Sequence, residues 1–219
     1  MDSIEKEQLI EARDYLKKLL LSINRVKLES FLSEFTEKFG IKCLINDLIF
    51  PSLQSIGKLW ENGNLALSQV YMAGRLCEET VPHLFKEKKE ISRDFPKIGI
   101  VNLEDHHPFG TQLLEIFLKT RNINPILYPE GITVEELYDK IIDDKIEILL
   151  ISTLMLRSAL KIKNLSQKLK KSNKHVKIIV GGAPFTFDPE LWKKVDADAM
   201  GMNPFDILEL ITHQMEEEK

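Results

Sequence analysis

Two acids and two imidazoles stand side by side in "VNLEDHHPFG", residues 101–110, behind an apolar run and ahead of a stretch with helical spacing. Glu104, Asp105, His106 and His107 are all competent metal ligands, and the same groups can exchange protons or cap the following helix. A protein-only zinc site is disfavoured: adjacent loop residues point to different sides, and no spaced His or Cys cluster elsewhere completes a tetrahedron. A dinucleotide turn is disfavoured as well, because the backbone can approach a pyrophosphate only through several glycines, and this turn offers one.

What positions the loop is legible in the hydrophobic period. Through residue 88 apolar residues recur at threes and fours, as in Leu9, Tyr15, Leu16, Leu19 and Leu20, and again in Phe31, Leu32, Phe35 and Phe39. Breaks are expected near residues 22–24, at Gly40 and at "ENGN" (61–64), which leaves four helices and a small bundle over residues 1–88. Pro51 should kink the third helix or mark its start. The charged stretch "KEKKEISRDFPK" (86–97) has the composition of a linker.

Beyond it, over residues 94–219, the period changes. The short apolar runs "KIGIVNL", "NPILY", "IEILLIS", "VKIIVGG" and "ADAMG" alternate with helical segments starting near Gly110, Thr133, Ser158, Pro189 and Pro204. Five β-α units predict a doubly wound parallel sheet with both faces covered, which accounts for strands that are apolar throughout. Such sheets bind ligands at the carboxyl ends of their strands. Those ends read "EDHHPFG", "STLMLRS", "GGAPF" and "GMNPF". A phospho-acceptor receiver is excluded by Ser152 and Thr153, which close the third strand where an aspartate is needed, and by the lack of a lysine after the fifth.

The bulk numbers narrow the class. The 219 residues carry 30 Lys+Arg against 34 Asp+Glu, a net charge of −4 with no basic footprint for nucleic acid. The apolar runs fall far short of the roughly 20 residues that span a bilayer, and the acidic start is no signal peptide, so a cytoplasmic protein without membrane partners is expected. Cys43 and Cys77 lie in helical patterns without CxxC spacing and are expected to be buried thiols.

Read from Asp105, the loop is Asp-x-His-x-x-Gly, ending at Gly110. About 40 residues on comes Ser-x-Leu (Ser152, Leu154), and then Gly181-Gly182. In order, spacing and strand-end placement this resembles the cobalamin-binding domain of methionine synthases and of the corrinoid proteins that serve methyltransferases. The stretch "IGKLWENGNLALSQVYMAGRLCEE" is similar to part of that family's helical cap. The resemblance covers nearly the whole chain. It implies a four-helix cap followed by a flavodoxin-like, Rossmann-like sheet of five parallel strands, and a carrier that shuttles a methyl group on cobalt rather than a complete enzyme.

Further implications come from the same resemblance. The cofactor is cobalamin, as methylcobalamin or another corrinoid, with His107 as the lower cobalt ligand in place of the cofactor's own base. The displaced nucleotide tail enters a slot kept open by Gly110, Ser152 and Gly181-Gly182. Asp105 takes the other ring N–H of His107, and Ser158 extends this relay. The partners are a substrate-specific methyltransferase, an acceptor methyltransferase and a reductive activase. Trp60 and the region of Val70 and Tyr71 are candidates to cover the upper cobalt face, or else ordinary bundle packing. Glu104 is expected to face solvent and His106 to be a solvated neighbour. The rival reading is a cobalamin-responsive sensor without turnover; a mutase subunit would lack the cap.

Overall fold

The computed structural model describes residues 3–85, 95–172 and 175–217. The chain divides into two compact units, Met1–Lys86 and Glu87–Lys219. Most of the charged stretch expected as a linker, residues 86–94, lies outside the described residues.

The first unit is helical. Helix α1 (Ser3–Leu21) ends in a turn where Ile23 takes a left-handed φ of 54° and the Asn24 side chain accepts from the Lys27 amide, capping α2 (Arg25–Cys43). Gly40 interrupts α2 at φ 81° and ψ 161°, a kink rather than an end, and the chain continues through a wide π turn, Leu44–Ile49, into α3 (Phe50–Glu61). Pro51 therefore sits in the first turn of α3 but inside continuous helical backbone, and the Asp47 carbonyl four residues earlier accepts from Arg13 Nε instead (2.6 Å). After the turn at Gly63 (φ 75°), α4 (Leu67–Thr80) and a short 3-10 turn complete the unit. Leu16, Leu20, Leu28, Leu32, Leu44, Leu48, Ile56 and Cys77 are its buried core. Burial pushes the Cys77 thiol up to about 12. Cys43, expected to be buried, is only half-buried, because it stands where α2 passes into the π turn.

The second unit is a sheet of five parallel strands in the order β2-β1-β3-β4-β5. They are β1 (Ile98–Asn102), β2 (Ile126–Leu127), β3 (Ile148–Ser152), β4 (Lys177–Gly181) and β5 (Ala199–Met200). The helices are α5 (Phe109–Lys119), α6 (Val134–Asp144), α7 (Leu156–Lys171), α8 (Ala183–Phe187), α9 (Leu191–Lys194) and α10 (Pro204–Glu217). The helix expected near Pro189 is thus two short pieces: α8 starts directly after the glycine pair with Pro184 in its first turn, and Asp188-Pro189 breaks the run.

One sheet face sends Val101, Leu103, Leu149 and Ile151 into a core with Leu137 and Ile141 of α6 and Ala159 and Ile162 of α7. On the other side α5 packs with α10 and against β1 and β3. Strand β1 is buried along its whole length, as its apolar run requires. Strand β2 is the exception: it is a two-residue edge, and Ile126 and Leu127 are exposed. The strand order reverses at β1, whose neighbours are β2 and β3, so the crevice of such a sheet falls at the carboxyl ends of β1 and β3. There the register pairs Asn102 with Ser152 and Ser152 with Gly181.

Candidate functional site

Immediately past β1 the backbone turns through Glu104, a non-glycine residue at φ 46°. That costly conformation is held from three directions. Its N–H donates to the Ile132 carbonyl (3.1 Å), its carbonyl accepts from Ser158 Oγ (2.9 Å), and its carboxylate is ion-paired with Lys161 Nζ. Glu104 is thus an anchor for the loop, which corrects the expectation that it simply faces solvent.

The turn delivers Asp105, 3% exposed, into the crevice. One carboxylate oxygen, Oδ1, accepts the His106 N–H (2.8 Å) and lies 2.5 Å from His107 Nδ1. The other, Oδ2, accepts the amides of Leu154 (2.8 Å) and Met155 (3.0 Å) at the end of β3. Burial alone would raise this carboxyl; the bond to His107 and the Met155 and Leu154 amides outweigh it and hold the group below the ordinary aspartate value. With Nδ1 committed to the carboxylate, Nε2 of His107 is the nitrogen left to donate a lone pair to a metal. The His107 side chain is 42% exposed, so that nitrogen belongs to a ring open to a ligand. The His106 ring is exposed and lies over Gly131, where φ is 71° and a Cβ would collide with the imidazole.

Ser158 does not extend the relay. Its hydroxyl donates to the Glu104 carbonyl, and both oxygens of Asp105 are already engaged by four N–H or imidazole partners. Its effect on Asp105 is through the loop backbone.

The small residues meet at the same rim. A side chain at Gly110 would run into Ser152 Oγ, and one at Gly181 would stand 2.8 Å from the Gly201 carbonyl. Gly182 has φ 109°, and its Cβ would strike the Thr153 carbonyl, so only glycine fits there. Beside them, among the described residues, the buried Asn102 Oδ1 and Nδ2 and Thr153 Oγ1 have no hydrogen-bond partner. Leu154 and Met155 give their amides to Asp105 and leave their side chains exposed, at 46% and 44%. On the helical unit Trp60 and Tyr71 are exposed and Val70 is half-buried, so none is core packing. Among the described residues no group of three or more His, Cys, Asp or Glu could hold a metal by itself.

Several of these contacts carry no mark in the sequence: the left-handed Glu104, its Lys161 partner, the Met155 amide and the unpaired Asn102. Gly131 was a readable signal for the seat of His106, since glycine is the residue that allows both the φ and the close ring.

A parallel α/β domain with a ligand crevice at the β1/β3 switch point, one tethered imidazole and a glycine-lined rim defines a cofactor-binding protein. Residues 97–208 match the model of the B12 binding domain family, and residues 12–84 match a second B12 binding domain model. The chain belongs to the B12-binding domain family, and its cofactor is cobalamin. Its fold is that of the monomethylamine corrinoid protein of Methanosarcina barkeri, with a TM-score of 0.75, 22% identity, and coverage of 91% of this chain and 96% of that one. A cobalamin-binding protein from Desulfitobacterium hafniense DCB-2 is also similar, with a TM-score of 0.50, 15% identity, and coverage of 92% and 97%. A chain of the methanol:cobalamin methyltransferase complex of Methanosarcina barkeri is more distant, with a TM-score of 0.47, 16% identity, and coverage of 90% and 76%. No helix among the described residues is long and apolar enough to cross a membrane.

The residues present fit the group. His107 would offer a nitrogen donor to the corrinoid's metal, Leu154 and Met155 an apolar exposed edge to its ring, and Asn102 and Thr153 buried polar atoms to its polar groups.

Proposed function

We propose that this protein carries a methyl group on the cobalt of its corrinoid, receiving it from a substrate-specific methyltransferase and yielding it to an acceptor methyltransferase, with a reductive activase restoring inactive cobalt. The observation that carries this reading is the 2.5 Å pair of Asp105 and His107, presented at the rim of the domain that matches the B12 family. The monomethylamine corrinoid protein, whose fold extends over nearly all of both chains, supports it. Cobalamin, when bound, supplies a metal centre that can accept and release a methyl group.

The chain's part is to hold and tune. His107 would hold the cobalt through Nε2. Asp105 fixes the ring's orientation and keeps the proton on Nδ1, which raises the donor strength of the other nitrogen. Asp105 is itself fixed by the Leu154 and Met155 amides, so the ligand is aimed before the cofactor arrives. Gly110, Ser152, Gly181 and Gly182 would flank the nucleotide tail, and the exposed Leu154 side chain would meet the corrin. Ser158 supports the loop through the Glu104 carbonyl.

Protein reconstituted with hydroxocobalamin should show a histidine-ligated absorption spectrum, and His107→Ala should lose it. An unchanged spectrum in the variant refutes the ligand assignment. Reduced protein supplied with methyl donors and candidate methyltransferases should then turn over repeatedly; binding without any cycling would identify a sensor instead.

A further inference from the structure

Asn102 is the last residue of β1, 2% exposed, and neither its Oδ1 nor its Nδ2 has a hydrogen-bond partner among the described residues. A buried carboxamide with donor and acceptor both unmet is costly, and an apolar residue of similar volume would serve a strand interior better. Its place explains the exception. Its register partner is Ser152, and paired residues on parallel strands share a sheet face, so the carboxamide lies on the face where Gly110 closes over the Ser152 hydroxyl. Ser152 is in turn paired with Gly181. Asn102 therefore shares its sheet face with Ser152 and Gly181, two of the residues proposed above to flank the nucleotide tail. Of these three, it is the one with a paired donor and acceptor to spend.

We propose that Asn102 is a specificity-determining residue for the lower base of the corrinoid, selecting a base that presents an adjacent ring-nitrogen acceptor and amino donor. Adenine has that edge, and a carboxamide meets it with two parallel hydrogen bonds. Dimethylbenzimidazole carries methyl groups and one ring acceptor, and leaves Asn102 Oδ1 unpaired. This rests on the cobalamin-binding reading but not on methyl carriage, since it concerns binding alone.

The test is a spectral titration of the full apo-protein with cobinamide, which has no base, with cobalamin, and with the adenine-containing cobamide. Wild type should bind the adenine form about tenfold more tightly than cobalamin. Asn102→Val should abolish that ratio while keeping its affinity for cobinamide. Its apo form should melt higher than wild type, since an unpaired polar group has been removed; a purely structural asparagine would melt lower on replacement. A wild type without preference, a ratio that survives in Asn102→Val, or an apo Asn102→Val that melts below wild type overturns the proposal. Failure of all three corrinoids to bind wild type would instead overturn the cofactor reading beneath it.

Discussion

A single carboxylate organises the candidate site, so its loss should be felt in both stability and ligation. Asp105→Ala would strand two buried amides and free the His107 ring. We expect a loss of about 2–4 kcal/mol in urea unfolding of the apo-protein, from hydrogen bonds to a charged group and unmet donors. Asp105→Asn should cost nearly as much, because one of its two acceptor atoms becomes a donor facing N–H groups. In both variants the hydroxocobalamin spectrum should show partial loss of the histidine ligand. Wild-type stability and a wild-type spectrum together would refute the tether. A second test at this scale concerns Tyr128, whose hydroxyl donates to Asp144 (2.9 Å) and whose ionisation is pushed up by burial and by that carboxylate. The raised value means that the bond contributes stability fully below about pH 10, the ordinary tyrosine value, and loses it as pH climbs toward the folded value. Tyr128→Phe should therefore be less stable than wild type by about 1 kcal/mol at pH 8, with the gap narrowing in strong alkali.

Among the elements, the turn from β4 into α8 leaves no space for a side chain at Gly182. Gly182→Ala combines a positive φ with a collision against the Thr153 carbonyl, and should lower stability by about 2 kcal/mol or more, measured by thermal unfolding. Near-wild-type melting would show that the strand ends can separate. In the helical unit, alkylation at pH 8 should leave Cys77 unmodified until the protein unfolds, because its thiol is buried and its ionisation is pushed up to about 12. Modification of native Cys77, read by mass spectrometry, would contradict that burial.

This is also the scale at which the sequence was most and least informative. The change of period from three-and-four to short apolar runs marks the passage from helices to sheet, and the glycines at 110, 181 and 182 stand where contacts forbid a side chain. The Asp105–His107 pair was implied by the family resemblance, and the structure brings the two side chains to 2.5 Å. What spacing could not reveal was Glu104. Nothing in a glutamate announces a left-handed backbone, and that one dihedral turns its carbonyl toward Ser158 and so diverts the hydroxyl from Asp105. Edge strand β2 was similarly hidden, since Ile126 and Leu127 read as core by composition but lie exposed in a two-residue strand.

For the molecule as a whole, cofactor binding and folding share one free energy. Cobalamin at a hundred times its dissociation constant should add about 2.7 kcal/mol to unfolding of the unit that binds it. The gain should appear as a concentration-dependent rise in its melting temperature. His107→Ala should reduce the gain at equal ligand concentration, and a melting temperature indifferent to cobalamin would contradict binding to the native state.

The carboxylate that steadies the imidazole is itself steadied by amides 49 and 50 positions further along the chain. A nascent polypeptide that has left the ribosome only as far as α6 already carries Asp105 and His107 and the Gly131 and Ile132 bonds to their loop, yet it lacks both amides that hold the second carboxylate oxygen. The carboxylate is fully anchored only once the third strand has been made and has come to rest beside the first. Corrinoid capture is thereby postponed until the centre of the sheet exists, and a fragment truncated ahead of Leu154 should bind the vitamin no better than an unfolded chain does.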